Sequence, residues 1–231
     1  MDDETAVVTG GTDGIGRAVA REFADAGANV VICARDADAV AEAVEAFEAD
    51  GGTATGIRAD VRDEFDVERL METAARFRDG GIDHVVANAG VYHGDPGETP
   101  LTDDPYSAFD DHLRTNARGV FAAVREALPH LNDGARVLVP TGSVAREAKQ
   151  GMGSYAVSKA TAEAIARGFA VDTDHAVGCV DPGMVATDLS GPGGRDPVDV
   201  APMFRWAATE APADELNGNV LSLREWRSAT R

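Results

Sequence analysis

A tyrosine and a lysine four residues apart, Tyr155 and Lys159, form the pair in this sequence best suited to acid–base chemistry. The pattern of residues 153–171 predicts a helix, on which both side chains share one face. A free tyrosine has a pKa of about 10, so it transfers protons poorly at neutral pH. A lysine cation beside it favours the phenolate and should lower that pKa toward the range of efficient general acid–base catalysis. An ordinary amphipathic pair is the alternative interpretation.

Two further features strengthen the catalytic interpretation of this pair. Only two of the 21 basic residues are lysines, Lys149 and Lys159, so a lysine at this spacing stands out in a chain that otherwise uses arginine. Ser143 lies twelve residues before Tyr155, after the predicted strand 135–140. A hydroxyl group there can hold a substrate oxygen beside Tyr155.

A glycine-rich turn follows the first predicted strand and opens the first predicted helix. It reads Thr-Gly-x-x-x-Gly-Ile-Gly from Thr9 to Gly16. Glycines there let the backbone approach a pyrophosphate, and the helix N-terminus supplies N–H groups and a partial positive charge. A simple tight turn is the alternative. The residues assigned to this cofactor contact are Gly10, Thr12, Asp13, Gly14, Ile15 and Gly16.

The elements that must position these residues alternate between strand and helix. Strands are predicted at residues 5–9, 29–34, 53–58, 82–88, 135–140, 176–180 and about 219–223. Helices are predicted at residues 15–26, 37–48, 66–78, 105–128 and 153–171, with a further helical stretch at 198–209. This alternation predicts an α/β fold: one Rossmann-like, doubly wound domain over residues 1–231, with a seven-stranded parallel sheet and helices on both faces.

The charge of the chain restricts its partners. The 231 residues carry 40 Asp+Glu against 21 Lys+Arg, a formal net charge of -19. Such a surface argues against nucleic acid and anionic membranes as partners. An acidic start without a signal-peptide pattern predicts a cytoplasmic protein. The acidity itself fits either an ordinary acidic cytosolic protein or, our preferred interpretation, a halophilic host with high internal salt.

The glycine turn, Asn88-Ala89-Gly90 after the fourth strand and Tyr-x-x-x-Lys occur in an order that resembles the short-chain dehydrogenase/reductase family. The resemblance implies an NAD(P)(H)-dependent oxidoreductase that transfers hydride between nicotinamide and a small carbonyl or alcohol substrate. It implies that Tyr155 is the general acid/base and that Lys159 also holds the ribose hydroxyls. Asn116 would support a water-linked proton path to the lysine; a polar helix residue with a local bond is the alternative.

The same resemblance assigns further cofactor contacts. It implies contacts from Asp60, Val61, Asn88, Ala89 and Gly90, and from Pro182, Gly183, Val185 and Thr187 at the nicotinamide end. Asp60 would lie beside the adenine, although a helix cap explains it equally well. The Pro-Gly turn after the sixth strand also has a purely structural use.

The end of the second predicted strand bears on the choice of cofactor. An acidic residue there would bind the ribose 2′-hydroxyl of NAD and repel a 2′-phosphate. Ala34 and Arg35 occupy this place, and a guanidinium suits a phosphate, so we expect NADP(H) to be preferred, with NAD(H) possible. Asp13, in the glycine turn, opposes this expectation. A solvated strand-end arginine is the alternative reading of Arg35.

The resemblance is weakest after Thr187. A Gly- and Pro-rich substrate loop covers about residues 189–200, and Trp226 is similar to a tryptophan of the carbonyl reductase-like branch. The family resemblance also implies a homo-oligomer, a dimer through the predicted helices 105–128 and 153–171. The five histidines show no metal-ligand spacing, so no metal is expected. A catalytically silent NAD(P)-sensing protein with the same fold is the alternative function.

Overall fold

Seven strands pair into one parallel sheet, as predicted. The computed structural model describes residues 1–231, apart from the side chain of Asp79. The sheet order is β3-β2-β1-β4-β5-β6-β7, and every pairing is parallel. The strands are β1 (Thr5–Thr9), β2 (Asn29–Ala34), β3 (Thr53–Arg58), β4 (Ile82–Val86), β5 (Leu131–Pro140), β6 (Ala176–Asp181) and β7 (Val220–Ser222).

Helices cover both faces of the sheet. They are α1 (Gly14–Asp25), α2 (Ala37–Ala49), α3 (Glu64–Arg76), α4 (Tyr106–His112), α5 (Gly119–Ala127), α6 (Gly153–Asp172), α7 (Pro197–Thr209), α8 (Ala213–Leu216) and α9 (Leu223–Ala229). Two apolar cores result, one on each face. One holds Phe23, Phe47 and Phe204 from α1, α2 and α7. The other holds Leu70, Val124 and Ala166 from α3, α5 and α6. None of the described helices is both long and apolar enough to cross a membrane.

The strand order reverses between β1 and β4, which fixes where a ligand can bind. The chain leaves β1 toward one side of the sheet and β4 toward the other, so the loops after these two strands diverge. In open parallel sheets, the crevice outside the carboxyl ends of the strands at this reversal is the usual ligand site. Both the glycine turn after β1 and Asn88 after β4 lie there.

The prediction of one continuous helix over residues 105–128 is wrong. A π-helical segment, Leu113–Arg118, separates α4 from α5 and carries the buried Asn116. Apolar periodicity does not reveal such an insertion, because the flanking α-helical turns keep their own spacing. Single π turns within helices occur often at functional sites.

Helix ends differ from the predicted bounds where a cap decides them. α3 begins at Glu64, two residues early, because the Asp63 carboxylate accepts hydrogen bonds from the N–H groups of Phe65 and Asp66. α8 and α9 were not predicted, since both are short. α9 nevertheless has a capping box, in which Ser222 and Glu225 bond each other's backbone N–H groups.

Two glycines allow a matched test of the packing. A Cβ on Gly178, in β6, would lie 2.1 Å from the carbonyl oxygen of Leu216, whereas one on Gly168, in α6, would meet no atom within 4 Å. We expect Gly178→Ala to lower the free energy of unfolding by about 1–3 kcal/mol, because the strand must move. Gly168→Ala should raise it by about 0.5–1 kcal/mol. Urea denaturation measures both, and equal stability of the two variants would contradict the packing of α8 on β6.

Candidate active site

A cavity of about 760 Å³ opens at the carboxyl edge of the sheet, at the reversal of strand order. It gathers residues that are far apart in the sequence. Of the predicted site residues, it is lined by Gly10, Thr12, Asp13, Gly14, Ile15, Arg35, Asp60, Val61, Asn88, Ala89, Gly90, Ser143, Tyr155, Lys159, Pro182, Gly183, Val185 and Thr187. Gly16 and Asn116 do not line it; both are buried behind its wall.

The glycine turn has the tight geometry that a bound pyrophosphate needs. Gly10 and Gly14 have φ angles of 65° and 53°, a region that favours glycine. A Cβ on Gly16 would lie 2.1 Å from the carbonyl oxygen of Gly10. The turn therefore presents backbone to the cavity at the start of α1, and a dinucleotide phosphate fits this cradle.

Asn88 connects the two strands on either side of the reversal. Its Nδ2 donates hydrogen bonds to the carbonyl oxygens of Thr9 and Gly10, at 3.0 and 3.1 Å. In return, the N–H of Ala89 donates to the Thr9 hydroxyl at 3.0 Å. These bonds fix the glycine turn against the loop after β4. Asn88 therefore shapes the cavity wall by holding backbone in place.

Asp60 belongs to a charged chain at the far end of the cavity. Its carboxylate accepts from the backbone and guanidinium of Arg62, which also pairs with Asp111 at 2.7 Å. The hydrogen bonds from Arg62 lower the pKa of Asp60 below its usual value. The cap of α3 is Asp63, so the helix-cap interpretation of Asp60 is wrong.

The Arg35 guanidinium lies exposed at this same end, directly after β2. Among the described side chains, none forms an ion pair or hydrogen bond with it. Asp13 lines the cavity as well, so the carboxylate that opposes the expected NADP(H) preference faces the same space as Arg35.

Tyr155 and Lys159 share one face of α6, as predicted. The Lys159 Nζ lies 5.9 Å from the centre of the Tyr155 ring and donates to the carbonyl oxygen of Pro140 at 2.9 Å. Burial lowers the pKa of Lys159 to about 8 and raises the pKa of Tyr155 to about 12. The expectation that Lys159 lowers the phenol pKa is therefore not met: burial, and then the neighbouring Tyr92, raise the pKa of Tyr155, while the Lys159 ammonium donates to Pro140.

Asn116 is joined to protein groups on every side. Its Oδ1 accepts from the Val91 N–H at 2.7 Å, while its Nδ2 donates to the Val91 carbonyl at 2.9 Å and to the Ser158 hydroxyl at 3.0 Å. Both amide hydrogens are thus used. A water-linked proton path through Asn116, which stays a prediction, must use its oxygen or its backbone.

Ser143 begins a short 3-10 turn after β5, and an ion-paired arginine fixes the loop that follows it. Arg146 bonds both Glu163, almost fully buried in α6, and Asp181, at the end of β6. Glu163 also accepts from the Thr141 hydroxyl at 2.7 Å. The loop is thereby held against the catalytic helix.

The segment after β6 lines the part of the cavity that the family resemblance assigns to the nicotinamide. The Gly183 N–H donates to the Asp181 carboxylate at 3.0 Å, which closes the Pro-Gly turn. The Thr187 and Ser190 hydroxyls are 2.7 Å apart, and the backbones of Val185 and Arg195 pair. The predicted substrate loop is therefore folded back on the cavity wall.

Sequence reasoning missed two side chains beside Tyr155 and one that contacts Ser143. The ring of Tyr92 meets that of Tyr155 edge-on, with centroids 4.7 Å apart. The buried His112 bonds the Ser154 hydroxyl at 2.7 Å, and burial lowers its pKa. Lys149 donates to the Ser143 hydroxyl. Tyr92 and His112 lie outside any motif, but the rarity of lysine marked Lys149.

The chain matches a family model described as short chain dehydrogenase over residues 4–197. The chain belongs to the short-chain dehydrogenase/reductase family. Its activity is accordingly that of an NAD(P)-dependent oxidoreductase on a small-molecule substrate. The described side chains of this family member include no group of three or more His, Cys, Asp or Glu placed to hold a metal ion.

Known proteins similar to this family member cover nearly its whole length. The NADPH-dependent aldehyde reductase 2 of Arabidopsis thaliana is 30% identical over 94% of this chain and 90% of its own. A short chain dehydrogenase of Burkholderia cenocepacia in complex with NADP has a TM-score of 0.81, 30% identity and 96% coverage of both chains. An alcohol dehydrogenase of Thermococcus sibiricus, complexed with 5-hydroxy-NADP, has a TM-score of 0.85, 27% identity and 96% coverage of both chains.

The pKa values of Tyr155 and Lys159 predict how the oxidoreductase activity depends on pH. Lys159, with a pKa lowered to about 8, is charged below that pH and loses its proton above it. Tyr155, with a pKa raised to about 12, keeps its proton throughout. We expect kcat/KM to fall as pH rises through about 8, measured in buffers of constant ionic strength. A flat profile from about pH 6 to pH 10 would contradict these values.

Proposed function

We propose that this protein is an NADP(H)-preferring reductase of small carbonyl compounds, or an alcohol dehydrogenase in the reverse direction, with Tyr155 as its general acid/base. The observation that carries the proposal is that Tyr155 and Lys159, on one face of α6, line the same cavity as Ser143 and the glycine turn. One space is thus surrounded by the proposed acid, a cation, a hydroxyl group and a turn that can bind phosphate.

Each side chain has a distinct part in the proposed reaction. The nicotinamide cofactor, when bound, supplies or accepts the hydride. During reduction Tyr155 donates its phenolic proton to the substrate oxygen, which Ser143 orients. Lys159 holds the ribose hydroxyls and places a positive charge behind the phenol. Asn116, which lies outside the cavity, acts as a positioning residue through Val91 and Ser158.

Preference for NADP(H) rests on Arg35. Its guanidinium is exposed on the cavity wall after β2, where a 2′-phosphate would find a fork of N–H donors. Ala34, at the end of β2, removes the carboxylate that would select NAD. Because Asp13 adds a negative charge at the glycine turn, we propose a preference for NADP(H) in which NAD(H) still binds.

The proposal extends to the assembly of the chain. We propose that residues 1–231 form one domain and that two copies pair through α4–α5 and α6. The rings of Phe121, on α5, and Phe169, on α6, pack against each other with their centroids 5.6 Å apart. Phe121 is 41% exposed, so a partner at this face could bury it further.

The setting of the protein follows from its charge and its C-terminal segment. We propose a cytoplasmic protein of a salt-adapted host, because a net charge of -19 is best tolerated where salt screens self-repulsion. We also propose that the chain belongs to the carbonyl reductase-like branch of the family. The support is Trp226 of α9, which is half-buried and packs against the core.

Replacing the phenol by a ring without a hydroxyl tests the proposed acid. Tyr155→Phe should lower kcat for NADPH-dependent carbonyl reduction by at least about 100-fold, since the general acid is lost. The Kd for NADPH, measured by fluorescence, should change little, because the ring remains. Tyr106→Phe, a change on a tyrosine 90% exposed, is the matched control. Near-wild-type turnover of Tyr155→Phe would refute the role.

Exchanging the residues after β2 tests the cofactor preference. In Ala34→Asp/Arg35→Ile the new carboxylate should repel a 2′-phosphate and accept from a 2′-hydroxyl. We expect the ratio of kcat/KM for NADPH to that for NADH to fall by at least about 100-fold. The double variant loses the charge-assisted pair between Arg35 and the 2′-phosphate and gains a repulsion between the new carboxylate and that phosphate. An unchanged ratio would show that Arg35 is only a solvated surface residue.

A further inference from the structure

The second lysine of the chain also belongs to the active-site cavity. Lys149 lies in the loop after Ser143 and lines the cavity together with Tyr155 and Lys159. The chain thus places both of its lysines on this wall, while its other 19 basic residues are arginines. Lysine supplies a compact ammonium with three rotatable donors, which a planar guanidinium does not.

The ammonium of Lys149 is held on one side and free on the other. It donates to the hydroxyl oxygen of Ser143. Among the described carboxylates, only that of Glu147 comes within ion-pair distance, at 3.6 Å, and its side chain is 63% exposed. Such a surface pair binds weakly. Of three N–H donors, one is used by Ser143 and two remain for a ligand.

The neighbouring arginine contrasts with this lysine. Arg146 is bound to two carboxylates, those of Glu163 and Asp181, so its charge is neutralised within the fold. The same ion pairs fix the start of the loop on which Lys149 lies. Asp188, which also lines the cavity, is exposed to solvent, so its charge is screened. The ammonium of Lys149 is therefore held in place by Ser143 and still has donors available for a ligand.

We propose that Lys149 binds a carboxylate of the substrate, so that the preferred substrates are oxo acids whose carboxylate lies one or two bonds from the reacting carbonyl carbon. This inference rests on the proposed function. Ser143 holds the carbonyl oxygen, and Lys149 touches Ser143, so an anionic group next to the carbonyl comes within reach of the ammonium. In a protein with a net charge of -19, an anionic substrate needs such a local cation.

Matched substrates separate a carboxylate contact from a general effect on catalysis. The probes are 2-oxobutanoate and 3-oxobutanoate, each with its methyl ester, which keeps the carbonyl and removes the charge. We expect Lys149→Met to lower the acid-to-ester ratio of kcat/KM by at least about tenfold, as for one lost charge-assisted hydrogen bond. Lys149→Arg should restore much of the ratio. Arg76→Met is the charge-matched control, at an exposed site on α3.

Two results would overturn the inference. Equal losses for acid and ester in Lys149→Met would mean that Lys149 acts only through Ser143 on the reacting oxygen. An unchanged ratio would mean that it does not contact the substrate. Tyr155-dependent reduction of the esters shows in either case that the proposed function stands.

A binding measurement decides the inference even if none of the four probes is reduced. Isobutyrate and isobutyramide have nearly the same shape and differ in charge. Each ligand is titrated into the complex of the protein with NADP+. The Kd for isobutyrate should be at least about tenfold lower for the wild type than for Lys149→Met, whereas the Kd for isobutyramide should differ much less between the two proteins. Equal affinity of the two proteins for isobutyrate would overturn the proposed contact.

Discussion

The buried amide of Asn116 is the constraint on which the geometry of the active site depends. It is 1% exposed and makes three hydrogen bonds, two to the backbone of Val91 and one to Ser158. Ser158 in turn donates to the carbonyl oxygen of Tyr155. One side chain thus joins the loop after β4 to the helix that carries Tyr155 and Lys159. Loss of one partner would leave buried polar groups unpaired, at about 1–3 kcal/mol each.

The active-site cavity carries positively charged side chains, although the whole molecule has a net negative charge. Within an acidic surface, four cations line the cavity, and one of them, Arg62, is paired with Asp60 and Asp111. Of the other three, Lys159 is half-buried and bonded to Pro140, Lys149 is attached to Ser143, and Arg35 is open to solvent. The first stands beside the proposed acid, and the others face the two ends of the ligand space. In the proposed function, this distribution would give an anionic cofactor and an anionic substrate separate contacts.

The sequence predicts best what depends on local spacing. The period-2 and 3.6 patterns place most strands and helices within about two residues, although β5 begins at Leu131, four residues before its predicted start. The i, i+4 spacing puts Tyr155 and Lys159 on one face. Sequence-based prediction fails where the structure depends on side-chain contacts or local backbone geometry that no periodic pattern encodes. The π turn at Asn116, the pairing of Asp60 with Arg62, and the attachment of Lys149 to Ser143 have no periodic signature. The pKa of Tyr155 was misjudged for the same reason: its burial is a property of the assembled site.

A double-mutant cycle on the Asn116–Ser158 bond tests the central role of Asn116 most directly. Turnover would be measured for Asn116→Ala, Ser158→Ala and the double variant, with unfolding monitored to confirm that each remains folded. If Asn116 positions the catalytic helix through Ser158, the double variant should lose little more kcat than Asn116→Ala alone. Losses that simply add, in units of activation free energy, would show that the two side chains act independently and would contradict this account.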